Sequence, residues 1–168
     1  TISRRRTSKM GDYRPPDRHG RHRISVNGDL HPVAFLVTLT HELAHLVTWD
    51  RYQRRARPHG EQWKRNFREM LKVLSDQQVF EGEVQGIVVD FISGRITYRM
   101  FNHHFEKQVH RISPDNGEKL LGDLPPGTVF ALQNGRRFSK MEKVRTRFRC
   151  QDLRNRRIYL ISPLAKVY

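Results

Sequence analysis

Apolar positions follow two different rhythms along this 168-residue chain. Val33, Leu36, Val37, Thr40, Leu43, Ala44 and Val47 recur at three- and four-residue steps, the spacing of a buried helical face. Pro32 suits a first helical turn, where its missing N–H costs nothing, and His31 stands where a cap is needed. Ala34, Phe35, Leu39 and Leu46 fill the other sides, which predicts a central helix. A second helical stripe runs through Trp63, Phe67, Met70, Leu71 and Leu74, with Pro58 and Gly60 marking the turn before it. Upstream, Arg23-Ile24-Ser25-Val26-Asn27 reads as a strand. Beyond residue 80 the pattern changes. Residues 86–92, Ser93-Gly94 and residues 95–101 read as a β-hairpin. Residues 102–123 are polar and irregular, with a turn at Asn116-Gly117. Residues 128–133 and 136–138 flank Asn134-Gly135, a strong hairpin signal, and strands over 144–150 and 156–161 follow. The expected class is α+β: a helical core with a few N-terminal strands over residues 1–78, then an antiparallel β module over 79–168.

The central helix carries His41-Glu42-Leu43-Ala44-His45. Residues at i and i+4 share a helix face, so His41 and His45 can reach one ion. Glu42 is displaced around the helix by one residue, which suits a base acting on water activated by that ion. This is the HExxH pattern of zinc hydrolases, and with nine histidines in the chain its chance occurrence is roughly 2%. The other reading is a pair of hydrogen-bonded core histidines. A zinc site needs a third ligand. The extended metzincin pattern fails, because position 48 is Thr and position 51 is Arg. Glu61, Glu69, Glu81 and Glu83 are candidates, but His59 is the better one. It follows His45 after thirteen residues, enough for a turn returning a second helix to the first.

These residues resemble the SprT-like metallopeptidases, relatives of the Spartan protease. The likeness rests on the HELAH pentapeptide, the following Trp49, and Pro58-His59-Gly60 leading into Trp63-Lys64. It extends to Ser8-Lys9-Met10-Gly11 and the strand over residues 23–27, so it covers about residues 5–75. The resemblance implies a zincin-like core that holds one Zn2+ through His41, His45 and His59, with Glu42 as the catalytic base. It implies a protein substrate, and the likeness to Spartan suggests DNA–protein crosslinks. Many such proteins carry a C-terminal zinc ribbon built on paired CxxC motifs. Here Cys150 is the single cysteine, which excludes that ribbon and an intramolecular disulfide. Cys150 itself reads as a strand residue in a small core.

Charge adds a second clue. Lys and Arg number 32 against 17 Asp and Glu, a net +15 divided almost evenly between the halves. Such an excess favours a polyanionic partner, most simply DNA, held through its phosphate backbone without sequence reading. Arg4, Arg5, Arg6 and Lys9 open one basic cluster. Arg51, Arg54, Arg55 and Arg57 form another between the HExxH motif and His59. Lys64, Arg65, Arg68 and Lys72 form a row that also fits the outer face of an amphipathic helix. Residues 136–157 form the last cluster, in which Arg145, Arg147 and Arg149 alternate and are expected on one strand face. Phe138 and Tyr159 lie nearby, with core packing the simpler use for both. His19 and His22, and the group His103, His104 and His110, match no metal spacing.

No apolar stretch reaches the length of a membrane span, and no secretory signal is expected. A cytoplasmic protein is the expectation, with nucleoid association open. The first residue is Thr rather than Met and precedes a strand-like segment, so a fragment of a longer chain is expected. Three functions fit. The first is a zinc metallopeptidase acting on proteins near DNA. The second is a nucleic-acid-binding protein with a vestigial or structural zinc site. The third is a zinc hydrolase of another bond, such as a small-molecule amide, which a closed apolar pocket would favour and an open basic cleft would oppose.

Overall fold

A computed structural model describes residues 1–4, 6, 9–112 and 119–168. The expected turn at Asn116-Gly117, Arg5 of the first basic cluster and Ser8 of the family-like motif lie outside the described residues. The chain divides into two compact units, Thr1–Val109 and His110–Tyr168. The first contains β1 (Ile2–Ser3), β2 (Gly11–Arg14), β3 (Arg23–Asn27), α1 (Pro32–Tyr52), α2 (Glu61–Asp76), α3 (Gly82–Ile92) and α4 (Tyr98–Ile112) up to Val109. The mixed α+β class agrees with the sequence.

In the first unit the three strands form a sheet in the order β1-β3-β2, with β2 antiparallel to β3. The expected caps of α1 are present. Pro32 occupies the first turn, and His31 Nδ1 accepts the Val33 N–H at 3.3 Å. Ala34, Val37, Thr40, Ala44 and Thr48 form its buried stripe, while Leu43, expected inside, is 37% exposed. Thr40 and Thr48 are tolerated inside because each hydroxyl donates to the carbonyl four residues back. Helix α2 buries Trp63, Phe67 and Leu71 completely. Burial of each such side chain contributes about 1.5–3 kcal/mol relative to exposure. Asn66 links the two helices. Its Nδ2 donates to Thr48 Oγ1 at 2.8 Å, and its Oδ1 accepts from Arg51 Nη1 at 2.8 Å.

The hairpin expected over 86–101 is not formed. Residues 82–92 and 98–112 are helices. The β-branched run and the Ser-Gly pair imitate a hairpin, but the buried residues have helical period: Val84, Val88 and Phe91 on α3, Phe101 and Phe105 on α4. They complete the core around Trp63 and Phe67. Gly94, at φ +78°, makes the turn between two helices rather than two strands. Among the described residues, strands therefore resume at Lys119 rather than at 79. His103, His104 and His110, expected in the β module, lie on α4.

The second unit contains β4 (Lys119–Leu120), β5 (Val129–Ala131), β6 (Arg137–Val144), β7 (Arg147–Asp152), β8 (Ile158–Ile161) and β9 (Lys166–Val167). Strands β5 to β8 form an antiparallel meander in sequence order, and β4 pairs with β9. The Asn134-Gly135 hairpin forms as expected between β5 and β6. Leu121, Phe130, Phe138, Cys150 and Val167 make its core. The strand expected over 144–150 is interrupted. Arg145 has φ +52° and lies in the β6–β7 turn, so only Arg147 and Arg149 alternate on the exposed face of β7. Two members of the same basic cluster are structural. Lys140 is 3% exposed, donates to the Gly122 and Leu124 carbonyls and lies over the Phe148 ring. Arg136 pairs with the buried Asp152 at 2.5 Å.

Candidate metal centre

Three imidazoles converge in the first unit. His41 and His45 project from one face of α1, as their spacing requires. His59 arrives from the turn before α2. Pro58 holds the second position of that turn, and the Gly60 N–H donates to the Arg57 carbonyl at 2.9 Å. His59 occupies the third position at φ +56°, a left-handed conformation that histidine adopts more readily than most residues. A Cβ on Gly60 would lie 2.9 Å from the Arg57 carbonyl oxygen, so glycine is what lets the turn close. The following helix then carries Trp63 beneath the cluster, with ring centroids 4.7 Å from His41, 5.2 Å from His45 and 4.7 Å from His59.

The Nε2 atoms form a triangle with sides of 3.3 Å (His41–His45), 3.1 Å (His45–His59) and 3.1 Å (His41–His59). An imidazole Nε2 has either one proton or one lone pair to offer, so three cannot all satisfy one another. A cation can be their common partner. Three nitrogens at 2.0–2.1 Å from a tetrahedral zinc lie about 3.3–3.4 Å apart, only slightly wider than this triangle. Burial, then the neighbouring imidazoles, push His41 down to about 3 and His45 to about 4. Burial lowers His59 as well. Each shift favours the neutral imidazole, the form a metal requires. Among the described residues no other group of His, Cys, Asp and Glu converges in this way. Glu61 and Glu69 are engaged with Lys64 and Arg51, away from the cluster. His22 bonds Tyr13 and His31 caps α1, so neither joins it.

Glu42 faces β2. It is 7% exposed, and its carboxylate accepts a hydrogen bond from the Tyr13 backbone. Burial first, and the Asp12 charge second, push its carboxyl up to about 7. Strand β2 also lays the Tyr13 ring parallel to His45, 6.1 Å between centroids. Tyr98, from α4, brings its hydroxyl to 3.0 Å from His41 Nδ1 and stacks on His59. Neither tyrosine was singled out by sequence. Tyr13 lies two residues past the family-like stretch that ends at Gly11, where the sequence marks no element, and Tyr98 falls inside the expected hairpin.

His59 is exposed, so the cluster opens to solvent. A groove of about 570 Å³ lies elsewhere, on the outer face of α2, lined by Glu61, Arg65, Arg68 and Lys72. The arginines between the two motifs differ in their engagement. Arg51 is tied to Asn66 and Glu69, while Arg54, Arg55 and Arg57 are exposed. The basic row on α2 is anchored within the molecule. Lys64 pairs with Glu61, Lys72 with Asp76, Arg65 with Tyr52, and Arg68 with the Phe91 carbonyl and ring. That row is the outer face of an amphipathic helix.

A model described as the SprT-like family matches residues 2–91, just over half of the chain. No curated protein and no solved structure matches it. No helix among the described residues is long and apolar enough to cross a membrane.

Proposed function

From the premise that this chain belongs to the SprT-like family, we propose that it is a zinc-dependent metallopeptidase, with a zincin-like core, acting on proteins bound to DNA. The observation that carries this reading is the closed triangle of imidazole nitrogens with Glu42 next to His41 on α1. His41, His45 and His59 would hold one Zn2+. When bound, the ion would supply Lewis-acid polarisation of a scissile carbonyl and lower the pKa of water from 15.7 toward ~7. Glu42 takes the proton from the attacking water and returns it to the leaving amine. The Tyr13 backbone orients that carboxylate, and the Trp63 ring sets the floor under all three ligands. The exposure of His59 suits a polypeptide substrate better than a small molecule enclosed in an apolar pocket.

DNA as the partner is supported by the net charge of +15 and by exposed Arg54, Arg55, Arg57, Arg147 and Arg149. Such cations add affinity through phosphates without reading bases. Elemental analysis of the purified protein beside His59→Ala and Glu42→Gln tests the reading. Expected are one zinc per chain in the wild type and in Glu42→Gln, loss in His59→Ala, and proteolysis by the wild type alone. Zinc without proteolysis on free or DNA-bound protein would favour the alternative, a nucleic-acid-binding protein with a structural metal. No zinc after reconstitution would overturn the metallopeptidase.

A further inference from the structure

Helix α4 lies beyond residues 2–91, the segment that carries the family likeness, yet it reaches the histidine cluster. The Thr97 hydroxyl accepts the Met100 N–H and caps the helix, which places Tyr98 in the first turn. From there the Tyr98 oxygen lies 3.0 Å from His41 Nδ1. The ring stacks on His59 at 5.5 Å and 21°, and meets Trp63 edge-on at 4.9 Å. Asn102, one turn along α4, bonds the same phenol oxygen through its side chain. One side chain thus touches two of the three clustered imidazoles.

We infer that Tyr98 is the positioning residue of this centre, holding His41 in the tautomer that presents Nε2 to the metal and fixing the ring plane of His59. The inference rests on the metal-binding reading above. Its chemical basis is the two-ended imidazole. His41 Nε2 points into the triangle, so when it ligates it carries no proton and the ring's proton resides on Nδ1. That N–H is turned into the protein and needs an acceptor. The Tyr98 oxygen is at hydrogen-bond distance. Outer partners of this kind normally shift metal affinity 10–100-fold. A phenol in this role differs from the carboxylate or backbone carbonyl that usually receives the second N–H of a ligating histidine. It orients the ring without adding a negative charge beside the site.

Tyr98→Phe in the full chain separates positioning from packing, since it keeps the ring against His59 and Trp63 and removes only the acceptor. Zinc affinity is measured by chelator competition for both proteins, and long-range ¹H–¹⁵N spectra of the zinc-loaded forms read the His41 Nδ1–H. The expected result is zinc bound about tenfold or more weakly by Tyr98→Phe. The metal-free variant should still unfold cooperatively, with only the modest drop in thermal midpoint that loss of the phenol's hydrogen bonds entails. The His41 Nδ1–H should exchange slowly in the wild type and rapidly in the variant. Equal zinc affinity with an unaltered His41 signal would overturn the inference and leave the metallopeptidase standing. If the wild type itself holds no zinc, both fall. Should the variant fail to fold, the wild-type spectrum decides alone: a rapidly exchanging His41 Nδ1–H would overturn the role of Tyr98.

Discussion

A Cβ placed on Gly11 would lie 2.5 Å from Glu42 Oε1, 2.7 Å from Thr38 Cγ2 and 2.9 Å from Glu42 Cγ. Edge strand β2 therefore lies directly on the carboxylate, and only a glycine allows that approach.

On the metallopeptidase reading, Gly11→Ala should lower proteolysis without lowering metal content. The clashing atoms belong to side chains, so the strand can persist while Glu42 is displaced. Misplacing a reacting group by about 1 Å can cost roughly 100-fold. We expect kcat/KM to fall about 10- to 100-fold with zinc per chain unchanged. Peptidase assays beside elemental analysis check this, and wild-type turnover in Gly11→Ala would contradict the tight approach.

Asn66 holds α1 against α2 from a fully buried position. Asn66→Ala removes its bonds to Thr48 and Arg51 and leaves a polar void between α1, which carries His41 and His45, and α2, which follows His59. Loss of a buried hydrogen-bonding group costs about 1–3 kcal/mol. Urea unfolding followed by tryptophan fluorescence reports on this unit, which contains both Trp49 and Trp63. An unchanged midpoint would show that the link is dispensable.

The second unit should lose stability in acid. The hydrogen bond from the Arg136 guanidinium, assisted by the Arg154 backbone N–H, holds the Asp152 carboxyl below the ordinary carboxylate range. A carboxyl depressed in the folded state stabilises above its unfolded pKa, about 3.9. That stabilisation is lost as pH falls from there through the folded value. Asp152→Asn should lower the thermal midpoint at pH 7 and flatten its decline below pH 4. Calorimetry at a series of pH values measures both. Parallel acid profiles for variant and wild type would exclude the pair as the cause.

Binding to nucleic acid, if phosphate-driven, should weaken steeply with salt. Arg147 and Arg149 share the exposed face of β7, although Arg149 also meets Glu142 at 3.1 Å. Replacing both by Ala removes at most two phosphate contacts. The slope of log K against log salt should then become less steep by roughly 1.4–1.8. Zinc content should not change. Fluorescence anisotropy with labelled single and double strands at several salt concentrations gives the slopes, and equal slopes would place the contacts elsewhere.

Sequence alone determined the central helix, its HELAH face, the turn that returns His59 and the Asn134-Gly135 hairpin. Each is encoded within a few residues: the three- and four-residue apolar step, Pro32 with His31 at the helix start, Pro58 before the left-handed His59, and Asn-Gly at a two-strand turn. Tertiary structure decided what local signals could not. Residues 82–112 are helical because Val84, Val88, Phe91, Phe101 and Phe105 complete a core around Phe67, and that burial outweighs the strand propensity of Ile87-Val88-Val89. Arg145 left the basic strand face because the β6–β7 turn needed its positive φ. Tyr98 meets His41 across fifty-seven residues of chain. No spacing rule links such positions. Only the packing of α4 onto the core brings them together.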